Sequence, residues 1–220
     1  MPSIFDKNNP DGIYPALAEL EKRLGLPTGF CEGLRNEDDW SFIIKLHALL
    51  EAALTTLLAA KVGQELRSTF ARLEMSRADT GKVAFAKALG LLVQEERRFI
   101  RELSELRNEL VHSVERITFN LSDYVAKLDP SQLDSFARTF ALFGLWSEKD
   151  GPVPNFQVVR KYAREHPKSL MWEAGVGLLG GVISMQIEKT ELEKKIAGEH
   201  QRLMTLFREA QSTGQAPPEG

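Results

Sequence analysis

The sequence predicts an all-α fold. Three observations carry that expectation. Apolar residues recur at spacings of three and four in long segments. Helix-start signals precede several of those segments. Neither a strand-rich region nor a tandem repeat is present in the 220 residues.

Residues 1–36 read as a leader, with a short helix from Ile13 to Leu24 that Gly25-Leu26-Pro27-Thr28-Gly29 breaks. Asn36 is the expected N-cap of the next helix, because Glu37, Asp38 and Asp39 follow it and favour the positive helix end. That helix should run from about Asp38 to Val62. Ile43, Leu46, Leu50, Leu54 and Leu57 line one face, and Leu49, Ala53 and Leu58 widen it, which suits a central position in a bundle.

The stretch from Gly63 to Arg77 is ambiguous, with helix a possibility through Leu66, Phe70 and Leu73. After Asp79-Thr80-Gly81 a helix is expected from Lys82 to Val93, and another from Gln94 to His112. Phe99, Leu103, Leu106 and Leu110 form the apolar seam of the latter. Ile117-Thr118-Phe119 reads as extended or irregular, and Ser122-Asp123 as the start of a helical turn. Asp129-Pro130 is an N-cap followed by proline at the first helical position, so a helix should extend from there to about Trp146. Asp150 to Asn155 reads as a connector. Helices are then expected over Phe156–Glu165 and from Ser169 to about Ala210, the second half of the last carrying only Leu192, Ile196, Leu203 and Leu206 as an apolar stripe. Gln211 to Gly220 is Pro/Gly-rich and reads as a disordered tail.

The net charge of −3 shows no basic surplus, so any RNA contact would be local. One cysteine, Cys31, rules out an intrachain disulfide framework and suits a cytoplasmic protein. Ala174 to Ile187 is apolar but only fourteen residues long, bracketed by Glu173 and Glu188. A bilayer helix needs about 20 residues; the expectation is a buried helix and no membrane.

The most informative stretch is Arg107-Asn108-Glu109-Leu110-Val111-His112. Asn108 and His112 share a helix face, and Arg107 lies about 100° round from Asn108. A guanidinium stabilises crowded phosphate charge, and an imidazole transfers protons near neutral pH. The same residues could equally cap carbonyls or bridge helices. His47 and Glu51, four apart on the first long helix, read as a helix-surface pair that could alternatively aim Glu51 at the motif. His166 falls at a helix end and His200 on a charged face. No spacing suggests a metal site, and Gly177-Leu178-Leu179-Gly180-Gly181 lacks the lysine of a phosphate loop. Gly177 and Gly181 suit close helix packing within the chain, or alternatively a dimer contact. No cofactor is expected.

Arg-Asn-x-x-x-His late in a small helical bundle resembles the signature of HEPN domains. The stretch 82–121, KVAFAKALGLLVQEERRFIRELSELRNELVHSVERITFNL, and the opening helix FIIKLHALLEAALTTLL resemble a HEPN subgroup that includes the mannitol operon repressor family. The resemblance covers roughly residues 37–128, on the order of half the chain. It implies a HEPN-type bundle over 37–128, with residues 129–210 packing on it as additional C-terminal helices. It further implies a homodimer with Arg107 and His112 as the catalytic-type pair and Asn108 beside them, in a metal-independent endoribonuclease of toxin or defence kind. Protein partners would be an antitoxin or a regulator. Several HEPN toxins carry a modifiable Tyr two positions after the His; Val114 stands there in this chain. Membership in the mannitol repressor group implies the alternative of a non-catalytic transcriptional regulator acting through protein partners.

Overall fold

The computed structural model describes Asn9 and residues 12–112, 114–141 and 156–212. Every regular element among them is helical, so the all-α expectation is met.

The first helix, α1 (Ile13–Arg23), forms where the short helix is expected. It buries Ile13, Leu17 and Leu20 in the same apolar cluster as the C-terminal helices. Leu26 N–H donates to Glu21 O and Gly25 N–H to Lys22 O, with Gly25 at φ 70°, which is the glycine-terminated end the sequence announces. The short α2 (Phe30–Gly33) follows, and Glu21, itself buried, accepts the N–H groups of Gly29 and Cys31.

The cap of α3 (Asp39–Val62) is Asp38, whose carboxylate accepts Ser41 N–H at 2.9 Å. Asn36, the expected cap, instead ends a 3-10 turn over Leu34–Asn36. That turn uses Asn36, and Glu37 alone separates it from the true cap. Ile43, Leu46, Leu50, Leu54 and Leu57 are fully buried, and so are Leu49, Ala53 and Leu58. Such all-round burial places α3 at the centre, touching α1's neighbours as well as the helices introduced next.

Gly63 to Arg77 resolves into a 3-10 turn (Gln64–Leu66) and α4 (Arg67–Arg72). Next, α5 (Lys82–Ala88) is shorter than expected. Gly90, at φ 67°, closes it through Leu91 N–H to Ala86 O and Gly90 N–H to Lys87 O. The chain restarts as α6 (Gln94–Val111), whose buried Glu96 accepts Val93 N–H at 2.8 Å. Its seam of Phe99, Leu103, Leu106 and Leu110 is buried against α3 and its neighbours.

Ile117 and Thr118 belong to a 3-10 stretch (Val114–Thr118), not an extended piece. Asn120 caps α7 (Leu121–Ala126) through Asp123 N–H. Asp129 caps α8 (Pro130–Phe140), and Gln132 Oε1 returns a bond to Asp129 N–H. Helix α8 ends at Phe140 with Ala141 as its C-cap, short of the expected end near Trp146, and Gln211 and Ser212, expected in the tail, continue the last helix. The connector 150–155 and residues 213–220 lie outside the described residues.

The last layer is α9 (Phe156–Glu165), α10 (Pro167–Val176), a π-helical stretch over Gly177–Ser184, and α11 (Met185–Ser212). The long helix thus begins two residues earlier than expected, at a proline suited to a first helical position. Its glycines permit close approach. A Cβ at Gly175 would lie 2.8 Å from Leu46 Cδ1, and one at Gly180 3.0 Å from Ile13 O. A Cβ at Gly181 would meet nothing within 4 Å, so that residue makes no such contact inside the chain.

Two helical stretches, Asp39–Val62 and Pro167–Glu209, are long and apolar enough to cross a membrane by length and composition, but each has 72% of its apolar window buried inside the protein. Beyond residue 190, every residue of α11 whose exposure is described is exposed, including Leu192, Ile196, Leu203 and Leu206.

Candidate functional site

Helix α6 holds the Arg-Asn-x-x-x-His motif because its seam is anchored in the core while its polar residues face outward. Trp40 on α3 pins the motif end by donating its indole N–H to Leu110 O at 3.4 Å. Arg116 grips Glu109 at 2.9 Å and ties the following 3-10 stretch to the same turn.

Arg107 is half-buried, and Asn108 is exposed. Arg107 Nη1 donates to Asn108 Oδ1 at 3.1 Å, and among the described residues Arg107 makes no ion pair. Both line a cleft of about 280 Å³ with His47, Glu51, Glu74, Met75, Ser76 and Ser104. His112 does not line it. It is the C-cap of α6, exposed, one turn beyond Asn108 on that face and about 140° round from Arg107.

His47 and Glu51 are the residues that the sequence undervalued. His47 is only 7% exposed, and its Nε2 lies 3.2 Å from Ser104 Oγ. The Ser104 hydroxyl donates to Ile100 O at 2.7 Å, so its oxygen accepts from His47 Nε2–H. In the neutral ring the lone pair is then on Nδ1. Burial holds the His47 pKa below 6.5; Glu51 opposes that, while Arg107 and Lys82 add to it.

Glu51 leans away to Lys82. The Lys82 side chain has 0% exposure, and its Nζ lies 2.6 Å from Glu51 Oε1. It also donates to Leu73 O at 2.6 Å and Ala71 O at 3.4 Å. The lysine therefore clamps α3, α5 and the end of α4 together, and that clamp sets the wall formed by Glu74, Met75 and Ser76. An i,i+4 spacing of His and Glu cannot reveal this, because the decisive partners lie 31 and 57 positions away.

His166 is the N-cap of α10, with its ring 5.1 Å from Tyr162, and His200 is exposed. No group of three or more His, Cys, Asp or Glu side chains among the described residues could hold a metal ion. The chain matches no protein-family model, no curated protein and no solved structure.

Proposed function

We propose that the protein is a HEPN-like, metal-independent endoribonuclease. The observation that carries this reading is Arg107. It is a cation lining a cleft, hydrogen-bonded to a neutral amide and in no ion pair among the described residues, although Glu51 and Glu74 line the same cleft, and it stands beside an imidazole that burial keeps neutral. A guanidinium so placed is available to a phosphate.

In metal-free cleavage a base removes the ribose 2′-OH proton and that oxygen attacks the adjacent phosphorus. The bond to the 5′-oxygen breaks, and an acid protonates the leaving oxygen. The products are a 2′,3′-cyclic phosphate and a 5′-hydroxyl. Arg107 neutralises the charge gathered on phosphorus in the transition state, and Asn108 orients the guanidinium. His112 is the proton-transfer group. Its exposure at the end of α6, beside the 38% exposed Val111, leaves that face open to a second copy, as the resemblance implies. His47 supplies a proton acceptor within the protomer.

The second reading, a non-catalytic regulator acting through protein partners, is favoured by one observation: His112 stands outside the cleft that Arg107 lines.

The test is incubation of structured and single-stranded RNAs with the protein in EDTA, beside Arg107→Ala and His112→Ala. Cleavage to cyclic phosphate ends that both substitutions abolish supports the nuclease. Cleavage that survives them marks contamination or another site and removes the assigned roles, and an inert wild type transfers the conclusion to the regulator.

A further inference from the structure

A second cleft opens directly beside the first. It has a volume of about 490 Å³ and is lined by Arg77, Lys87, Gln94, Arg97, Arg98 and Arg101 with a few small residues. Five cations and no carboxylate line it, in a chain whose net charge is −3. Ser76 lines both clefts, and α6 supplies one side of each. Along α6, Gln94, Arg97, Arg101, Ser104 and Asn108 follow one another at spacings of three and four, so they form one continuous face. The acidic residues of α6 are gathered elsewhere. Glu102, Glu105 and Glu109 line a different depression with α8, although Glu102 and Glu105 stand one turn along from Arg98 and Arg101. This separation explains how a net acidic chain carries a strongly cationic groove.

The cations differ in how they are held. Arg97 Nη1 is fixed to Leu92 O at 2.6 Å, and Arg98 Nη2 to Ser135 Oγ at 2.9 Å. Both bonds are to neutral oxygens, so both positive charges remain unneutralised. Arg77 makes only a loose ion pair with Glu74, at 4.0 Å between exposed side chains. Lys87 and Arg101 are exposed and form no ion pair among the described residues.

We infer that this groove is the track for a single-stranded RNA, gripping its phosphates upstream or downstream of the one presented to Arg107. The inference rests on the nuclease reading for its choice of RNA. The chemistry is that of a polyanion: several cations spaced along a helix face match successive phosphates of a strand, whereas one small anion needs a single converging set. The groove meets the cleft that holds Arg107 and Asn108 at Ser76, which lines both, so a strand leaving the groove at that edge would present a phosphodiester to the motif.

The experiment is fluorescence anisotropy of the full chain with a labelled 2′-O-methyl RNA of about 15 nucleotides, which lacks the attacking hydroxyl and reports binding without cleavage. Five contacts predict that log K falls with log salt at a slope of about −3.5. Lys87→Glu/Arg101→Glu should weaken binding at least tenfold and flatten the slope by about 1.4. Lys161→Glu/Lys189→Glu, with the same change of net charge on other surfaces, should stay within twofold. Circular dichroism checks that each variant is folded. Equal losses in both double variants, or binding unaffected by the groove variant, would overturn the track. So would displacement of the RNA by tripolyphosphate at matched charge, which would mark a small-anion site. His112→Ala separates the two conclusions: it should leave this binding intact while abolishing cleavage of unmodified RNA. Binding to the groove with no cleavage by the wild type would sink the nuclease and keep the track.

Discussion

Replacing Lys82 by Met should destabilise the protein by about 2–4 kcal/mol, most of it from acceptors left without a donor. The methionine fills the space of the aliphatic stem, so the packing change alone should cost under about 1.5 kcal/mol. Leu73 O loses a 2.6 Å bond, and Ala71 O a weaker one at 3.4 Å. A fully buried acceptor left unsatisfied costs about 1–3 kcal/mol; Ala71 is exposed and Leu73 half-buried, so these two carbonyls fall toward the low end of that range. Glu51 loses its partner too, but its side chain is 37% exposed and water can replace the ammonium. Its share is therefore nearer the 0–1 kcal/mol of a surface pair than the roughly 3–5 kcal/mol of a sealed one. For a chain of this size the total corresponds to a fall in Tm of roughly 5–15 °C. Urea unfolding followed by far-ultraviolet circular dichroism measures it, with the m value expected to stay constant. Glu51→Leu should also be costly, because it strands a buried cation. The double variant should be no worse than Lys82→Met alone, since no charge is then left unpaired. A cost below about 1 kcal/mol for Lys82→Met, or simple addition of the two single costs, would refute the clamp.

Other tests address separate parts of the molecule. His47 is the clearest source of pH dependence. Its pKa is depressed in the folded state, so its contribution is complete above 6.5 and is lost as pH falls through the lower folded value. Stability measured from pH 7.5 downward should decline more steeply in the wild type than in His47→Gln, which keeps a donor for Ser104 but does not titrate. Parallel curves would exclude the imidazole as the cause. Gly175→Ala should cost about 1–3 kcal/mol by forcing a methyl against Leu46. Gly181→Ala, with open space around it, should be neutral or stabilising by up to about 1 kcal/mol; thermal melts of the pair decide whether those distances govern the fit. Cys31 is 1% exposed, and burial first, then Glu21, pushes its thiol pKa up. It should react with a thiol reagent at the rate of unfolding, and rapid modification of the folded protein would contradict that environment.

The fold was legible where local chemistry decides the outcome. Asp129-Pro130 starts a helix because its capping carboxylate and fixed φ act within a few residues. The α6 seam was readable for the same reason, since Phe99, Leu103, Leu106 and Leu110 repeat at helical spacing. Asn36 misled because two competent caps stand two residues apart, and the fold places Asp38 with its carboxylate on Ser41 N–H. The short helix from Ile13 was legible, but its packing was not, because the burial of α1 depends on Gly180, 167 positions from Ile13. The candidate site divides in the same way. Arg107 and Asn108 announced themselves through their types and spacing. His47 and Lys82 did not, because their roles are set by Ser104, Glu51 and the carbonyl of Leu73, which only the folded chain assembles. The cationic groove was masked by net charge, which averages over faces that α6 keeps apart.

The π-helical stretch between α10 and α11 also acts as a dial. Each residue in a helix turns all that follows by about 100°. Removing one residue from Gly177–Ser184 would therefore rotate the whole projecting arm by that angle while leaving its composition untouched. Leu192, Ile196 and Leu203 would then point at a different part of the surroundings. A single codon in a glycine-rich segment thus controls the bearing of a lever roughly 30 Å long, and it does so at a cost, because a deletion there also turns the buried Ile183, Ser184 and Ile187 out of register with the core.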